Sequence, residues 1–295
     1  MKKTNPYSNL MRDYALQMNA DFLFKEFLEK VEKNEIREDG TNRLISLIDK
    51  YISTNSGFKR TITTGTKLYR ARVINNAELS LKNGFSVDEN GITKGFDESN
   101  SREAPLGFGA AGRNNIAGVS YLYMANDPKT ACAEVKPIVR QLLSLAEFKV
   151  LKPIHVVDFA SDKSFDRDES INDNVSLGRL FTNIMMKYSM PISNPIEYKA
   201  TQIITDHIRK TGIDGIAYRS YLNNNGVNYT FFNSSRDRFK YENSRIVMLQ
   251  SERRSFIDFN NNRAVASKTR GYASYNKKDS DEMIKWISEH IIDYK

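Results

Sequence analysis

Cysteine and histidine are scarce in this sequence. Cys132 is the only cysteine among 295 residues, so the chain cannot form an internal disulfide, and a reducing compartment is expected. The three histidines, His155, His207 and His290, lie far apart and do not have the spacing of zinc ligands. The sequence therefore predicts neither a disulfide framework nor a metal site.

Long apolar runs and a secretory signal are absent as well. No stretch of about 18 apolar residues occurs, so no transmembrane helix is expected. The first residues, MKKTNPYSNLMRDY, contain two lysines but no apolar segment after them. We therefore expect a cytoplasmic protein that does not bind a membrane.

The sequence does carry an excess of positive charge. Its formal net charge is +8, which favours an anionic partner such as a nucleotide, a nucleic acid or an acidic protein. Part of this charge lies between Arg236 and Arg270, where the basic residues are scattered and do not form a helical stripe. A solvated surface explains this scatter, so direct nucleic-acid binding is not expected. A basic binding module without catalytic activity stays an alternative.

The common nucleotide-binding motifs are missing or lie in the wrong context. The P-loop pattern G-x-x-x-x-G-K-[ST] does not occur. Gly107, Gly109 and Gly112 spell G-x-G-x-x-G, but no strand-like run precedes them and no helix-like run follows them. A flexible glycine-rich loop that comes close to a ligand is the better interpretation.

The order of helical and strand-like segments predicts an α+β fold. Apolar periodicity predicts N-terminal helices at 20–33 and 41–53, the second capped by Thr41, whereas the polar segment 74–112 is expected to be a long loop. The other predicted strands are 67–73, 119–125, 147–152, 154–160, 213–220, 226–232 and 245–250, and the other predicted helices are 128–135, 174–188, 197–212 and 279–291. The predicted domains are a helical appendage at 1–64, a catalytic domain at 65–250, and a basic linker with a C-terminal helix at 251–295.

The stretch from Gly112 to Val135 holds three chemically useful side chains. Arg113 follows a glycine and precedes two asparagines, and a guanidinium in such a loop suits a phosphate or pyrophosphate. Tyr123 belongs to a strand-like run, where its ring can stack on an aromatic ligand. Glu134 lies among small apolar residues, and a carboxylate in a cleft there can stabilise positive charge or orient a sugar hydroxyl. Taken alone, Arg113 and Tyr123 fit ordinary structural roles better, and Glu134 fits either role.

Six spaced blocks of sequence are more specific than these residues alone. Their order and spacing resemble the RES-domain family, which is named for an arginine, a glutamate and a serine. The resemblance covers about residues 65–235. The blocks are YRAR at 69–72, GRNN-x-x-G-x-x-YLY-x-A at 112–125, TA-x-AEV-x-P at 130–137, EY-x-x-TQ at 197–202, GIDGIAYRS at 212–220 and G-x-NY-x-x-F at 226–232.

The resemblance implies a fold, an activity and a partner. RES-domain proteins are similar in fold to ADP-ribosyltransferases, with short mixed strands and flanking helices, and members act as toxins of toxin–antitoxin pairs. They consume NAD+, either by phosphorolysis to nicotinamide and ADP-ribose 1″-phosphate or by ADP-ribosylating a target. Their antitoxins usually carry a helix-turn-helix domain and block the active site. The matching motifs place the family's residues on Arg70, Arg113, Tyr123, Glu134 and Ser220.

The chemistry of NAD+ cleavage gives each of these residues an expected role. Nicotinamide leaves as a neutral molecule, so no general acid and no metal is required, and Glu134 near the ribose would stabilise the oxocarbenium-like centre. Arg70 or Arg113 would bind the pyrophosphate, or inorganic phosphate as the expected co-substrate. Tyr123 would stack on nicotinamide, and Ser220 would hydrogen-bond Glu134 or the nicotinamide ribose. The expected catalytic residues are Glu134, Arg113 and Ser220, and the expected NAD+-binding residues are Arg70, Tyr123, Arg113 and Ser220.

Three functions are open on the sequence alone. The first is cleavage of NAD+ by phosphate or water, as in a toxin of a toxin–antitoxin or defence system. The second is ADP-ribosylation of a protein or nucleic acid through the same site. The third is the basic binding module, against which the complete set of matched residues argues.

Overall fold

The computed structural model describes residues 6–36, 42–54, 58–75, 84–89, 91, 93–161, 174–190, 195–250, 256–258 and 263–265. The helices are α1 (Pro6–Glu32), α2 (Arg43–Thr54), α3 (Glu98–Ser101), α4 (Pro128–Glu134), α5 (Leu177–Ser189) and α6 (Lys199–Lys210), and a 3-10 turn at Pro195–Tyr198 precedes α6. The strands are β1 (Lys59–Ile62), β2 (Lys67–Val73), β3 (Phe85–Val87), β4 (Thr93–Phe96), β5 (Leu122–Ala125), β6 (Leu142–Val150), β7 (Ile154–Phe159), β8 (Gly215–Arg219), β9 (Val227–Phe231), β10 (Phe239–Met248), β11 (Phe256–Asp258) and β12 (Arg263–Val265).

Polar side chains fix the starts of α2 and α4. At α2, Asn42 accepts hydrogen bonds from the backbone amides two and three residues later, whereas the predicted cap, Thr41, lies outside the described residues. At α4, Asp127 accepts the amide of Thr130 at 2.9 Å, and Pro128 occupies the first helical position, as the sequence predicts. The short helix that ends in Glu134 therefore begins at a fixed point.

Eight strands form one mixed sheet in the order β1-β7-β8-β9-β5-β2-β6-β10. The pairs are antiparallel, except that β7 and β8 run parallel. Strand β2 pairs with β6 along its full length, but with β5 only between Tyr69 and Ala125. The junction between β2 and β5, the strands that carry Arg70 and Tyr123, therefore has the fewest paired residues in this sheet.

Buried side chains form large clusters on the two faces of the sheet. Because side chains alternate along a strand, Phe159 and Tyr218 point to one face, and their neighbours in sequence point to the other. The first face packs against the apolar sides of α1, α2, α5 and α6. The second face includes Leu122, Phe148 and Phe231. The two N-terminal helices thus share one core with α5 and α6.

The predicted α+β class is confirmed, with 35% helix and 28% strand arranged around a central sheet and N-terminal helices. The expected long loop at 74–112 is wrong in part, because β3, β4 and α3 lie within it. These elements are too short for a clear periodicity, and they are held by contacts distant in sequence, such as the bond from the Phe96 amide to Ser144 Oγ. The predicted helix at 279–291 lies outside the described residues, and the three domain boundaries stay predictions. Among the described helices, none is long and apolar enough to cross a membrane.

Candidate functional site

Glu134 lies at the end of α4, where two side chains from other elements hold its carboxylate. Ser220 Oγ donates to Glu134 Oε1 at 2.6 Å, and Asn228 Nδ2 donates to the same oxygen at 2.7 Å. Ser220 and Asn228 are buried, whereas Glu134 is exposed. The buried side chains therefore orient the carboxylate from the protein interior, and the carboxylate remains accessible from solvent.

The loop that follows Ser220 is tied to the same helix. Ser220 Oγ accepts the backbone amides of Leu222 and Asn223, both at 3.2 Å. Asn223 Nδ2 in turn donates to Thr130 Oγ1 in the first turn of α4 at 2.7 Å. A side chain at Gly226 would meet Thr130 Oγ1 at 2.5 Å, so only glycine allows this close approach. Both ends of the seven-residue helix are thus fixed against the β8–β9 connection.

Tyr123 in β5 is oriented by the asparagine loop that precedes its strand. Its hydroxyl donates to Asn115 Oδ1 at 2.5 Å and accepts the amide of Asn114 at 3.2 Å. A side chain at Gly112 would approach the Tyr123 hydroxyl to 3.1 Å. Burial is the largest cause that raises the pKa of Tyr123 well above its usual value, so the phenol stays protonated at neutral pH.

Helix α6 holds this loop from its other side. Gln202 Nε2 donates to the carbonyl oxygens of Gly112 and Asn115 at 2.8 and 2.9 Å. Thr201 Oγ1 donates to the carbonyl oxygen of Arg113 at 2.6 Å. The sequence block EY-x-x-TQ therefore fixes the backbone of the block GRNN.

The side chain of Arg113 points towards the C-terminal end of α5. Its guanidinium donates to the carbonyl oxygens of Lys187 and Met190, both at 2.9 Å, and lies 5.5 Å from the centre of the Tyr198 ring. A cation at this end of a helix satisfies unpaired carbonyl groups and is favoured by the helix dipole. In this structure Arg113 thus has a structural role.

Arg70 is a partly buried cation at the weak junction between β2 and β5. Its Nη1 donates to the carbonyl oxygen of Tyr123 at 3.0 Å, whereas its buried Nε has no hydrogen-bond partner in the described structure. Burial, followed by the nearby charge of Arg72, lowers the pKa of Arg70 to about 10, so the group is still charged at neutral pH. A charged, partly buried guanidinium suits an anionic ligand.

Tyr218 lies close enough to both Glu134 and Arg113 for their charges to shift its pKa. Burial is the main cause that raises the pKa of Tyr218, Glu134 raises it further, and Arg113 opposes the shift. The two charged residues therefore act on one buried phenol, although their hydrogen bonds lie on different elements.

The structure thus gathers the predicted residues only in part. It joins Glu134 to Ser220 directly, so the first of the two hydrogen bonds expected for Ser220 is present. Tyr123 contacts the loop of Arg113 through Asn114, and Arg70 contacts Tyr123 through the main chain. The site assignments themselves stay predictions.

Sequence reasoning missed the supporting polar residues. Asn228 holds Glu134, and Gln202 fixes the asparagine loop. Asn114 is buried and bonds Thr230 and Thr205 on two other elements. The sequence signal that could have identified these residues is their position within the spaced blocks, which holds for Asn114, Gln202 and Asn228.

Metal ligands were not expected. In the described part of the chain, no group of three or more histidine, cysteine, aspartate or glutamate side chains is arranged to hold a metal ion.

Comparison with known proteins found a similar solved structure and a matching family model. A solved structure described as the M. tuberculosis MbcT–MbcA toxin–antitoxin complex is similar, with a TM-score of 0.40 and 14% identity over 72% of this chain and 98% of that chain. No curated protein matches. The family model of the RES domain matches residues 93–253, and because this range is more than half of the chain, the protein belongs to the RES-domain family.

Proposed function

We propose that this protein cleaves the bond between nicotinamide and ribose in NAD+ and acts as a toxin of a toxin–antitoxin pair. RES-domain toxins generally act on NAD+. The observation that carries the proposal is the exposed Glu134 carboxylate, whose hydrogen bonds to Ser220 and Asn228 both fall on Oε1. In the described residues no donor contacts Oε2, which can therefore face a substrate.

Glu134 would act through its charge. As the bond between the ribose C1″ carbon and the nicotinamide nitrogen breaks, the electron pair leaves with the nitrogen and positive charge develops on the ribose. A fixed carboxylate beside this centre stabilises the charge, and its orientation requires no rearrangement during the reaction. Ser220 and Asn228 would be positioning residues, because they act on the substrate through Glu134.

Inorganic phosphate is the acceptor that we favour. An oxygen of phosphate would form the new bond to C1″, giving ADP-ribose 1″-phosphate and neutral nicotinamide. Two cations suit the anionic groups of this reaction: Arg70, which is partly buried and charged at neutral pH, and Arg113. Arg113 would have to leave its carbonyl partners on α5 to reach a ligand, so Arg70 is the better candidate for the resting state.

Tyr123 would present its ring to nicotinamide. The bonds from its hydroxyl to the asparagine loop fix the plane of the ring, which favours stacking on a flat ligand. An antitoxin, carrying a helix-turn-helix domain as is usual in this family, would be the partner that covers the exposed carboxylate.

Proton NMR of the purified protein with NAD+, with and without inorganic phosphate, tests the reaction. Faster release of nicotinamide with phosphate, together with a new ADP-ribose 1″-phosphate signal, supports the phosphorylase. Release without phosphate, with free ADP-ribose, identifies a glycohydrolase. The Glu134→Gln variant, purified in the same way, controls for contaminating activity.

Labelled NAD+ distinguishes the alternative reaction. Label that stays in soluble products supports cleavage, and label on a protein or nucleic acid supports ADP-ribosyl transfer. If the label stays on intact NAD+ and cells that express the protein keep normal NAD+ levels, the proposal is wrong and a non-catalytic module is favoured.

A further inference from the structure

Helix α1 is apolar on two opposite faces. One face is buried in the body of the protein through Ala20, Leu23, Phe27 and Val31. At about 100° per residue, the opposite face is a single arc of roughly 120°. It carries five large side chains with exposed fractions from 50% to 69%, which we call the α1 stripe: Leu10, Met11, Tyr14, Met18 and Phe22. A helix with apolar side chains on both faces is typical of a helix that is covered on both.

The area of the α1 stripe is large for a free surface. With about 200 Å² for each fully exposed large side chain, the stripe exposes roughly 600 Å². The largest continuous apolar patch of a typical monomer covers about 300–600 Å² and often serves binding, so the stripe lies at the top of this range. Two such stripes in contact would bury up to roughly 1,200 Å² in total, which is at the lower end of specific interfaces.

The spacing of the α1 stripe fits a second copy of the same chain. Leu10, Tyr14, Met18 and Phe22 follow one another at intervals of four residues, so the set is symmetric about position 16. In an antiparallel pair, Tyr14 faces the partner subunit's Met18, and Leu10 faces the partner subunit's Phe22. A two-fold interface requires this self-complementarity.

The charges beside the stripe argue against a lipid surface. A helix that lies on a membrane carries many lysines and arginines on its polar face. Between Leu10 and Phe22 the helix has one basic residue, Arg12, and two acidic residues, Asp13 and Asp21. Asp21 is moreover held by Arg179 of α5 at 2.7 Å.

We propose that the protein is a homodimer in which the α1 stripes of two copies pack antiparallel. The small interface gives a dimer that dissociates on dilution. This proposal is independent of the reaction proposed above, because no residue of the stripe belongs to the candidate site.

Light scattering coupled to size exclusion tests the dimer with the full chain. We expect the wild-type protein to have twice the mass of the 33.9 kDa chain at high micromolar concentration, and Met18→Glu to have the mass of one chain. Met186→Glu is the matched control, because Met186 on α5 is 52% exposed and Met18 is 50% exposed. This control is expected to remain dimeric, and circular dichroism checks that both variants are folded.

Disulfide cross-linking tests the orientation in a Cys132→Ala background. A mixture of Tyr14→Cys and Met18→Cys proteins is expected to form cross-linked dimers under mild oxidation, and each variant alone is expected to form fewer. Strong linking of Tyr14→Cys to itself would indicate a parallel pair and overturn the proposed geometry. The proposal itself would be overturned by a wild-type protein that is monomeric at every concentration, or by a dimer that persists in Met18→Glu. Liposome binding that is lost in Met18→Glu would also overturn it and would assign the stripe to a membrane.

Discussion

The Glu134 and Arg113 regions both place a charge near Tyr218, but the fold uses the two charges differently. Glu134 receives its hydrogen bonds from the buried side chains of Ser220 and Asn228 and remains exposed. The guanidinium of Arg113 is occupied by the carbonyl groups of Lys187 and Met190 at the end of α5. The carboxylate of Glu134 is therefore held in one orientation at the surface, whereas the guanidinium of Arg113 satisfies carbonyl groups at a helix end.

This difference shows that a motif residue can be matched by spacing and still have another role in the folded chain. A preorganised charge contributes to catalysis because no energy is spent on reorienting it during the reaction. A charge with two backbone partners must break these contacts before it binds a ligand. We therefore expect replacement of Glu134 to affect turnover most, and replacement of Arg113 to affect stability.

The largest expected effect is that of Glu134→Gln. The amide keeps an oxygen that can accept from Ser220 and Asn228, but it removes the negative charge beside the ribose. We expect the rate of nicotinamide release to fall by about 10²–10³-fold, as for loss of a single preorganised electrostatic group. The urea midpoint is expected to stay unchanged. Turnover close to wild type would contradict the role of Glu134.

The elements around Glu134 show how far the sequence could predict the fold and the site. Asp127 and Pro128 are local signals, so the start of α4 could be predicted from the sequence. The hydrogen bond from Ser220 to Glu134 joins residues 86 positions apart, and only the matched blocks suggested it. The direction of the Arg113 side chain could not be predicted, because it depends on where α5 ends in space. For the same reason Asn228 was not singled out.

The second expected effect concerns Arg113. In Arg113→Ala, two carbonyl groups at the end of α5 lose a charged donor, and we expect the free energy of unfolding in urea to fall by about 1–3 kcal/mol. Arg113→Lys keeps the charge but lacks the planar guanidinium that donates to both carbonyl oxygens, so we expect it to recover only part of the lost stability. Unchanged stability together with lost turnover would show that Arg113 binds the substrate and that its contacts with α5 are incidental.

The third expected effect is on the support of the carboxylate. Asn228→Ala and Ser220→Ala each remove one donor to Glu134 Oε1, and a hydrogen bond to a charged group is worth about 1.5–3 kcal/mol. We expect kcat to fall by about ten- to a hundredfold, because each 1.36 kcal/mol is a factor of ten. If the two residues only position Glu134, KM for NAD+ changes little. A rise in KM with constant kcat would instead indicate that Ser220 or Asn228 contacts the substrate directly.

The smallest expected effect is that of Tyr123→Phe, which keeps the ring but removes the hydroxyl that bonds the loop of Arg113. We expect turnover at neutral pH to stay within about threefold of wild type.

The stability of Tyr123→Phe should depend less on pH than that of the wild type. Burial raises the pKa of Tyr123, so the folded state keeps this proton to a higher pH than the unfolded state, and stability is lost as the pH rises above about 10. Urea unfolding between pH 8 and 11 should therefore show a shallower loss of stability in Tyr123→Phe. The loss is not expected to disappear, because burial also raises the pKa values of Tyr188 and Tyr218. An unchanged slope would mean that the Tyr123 phenol is accessible to water, and it would then be as free for a ligand as Glu134.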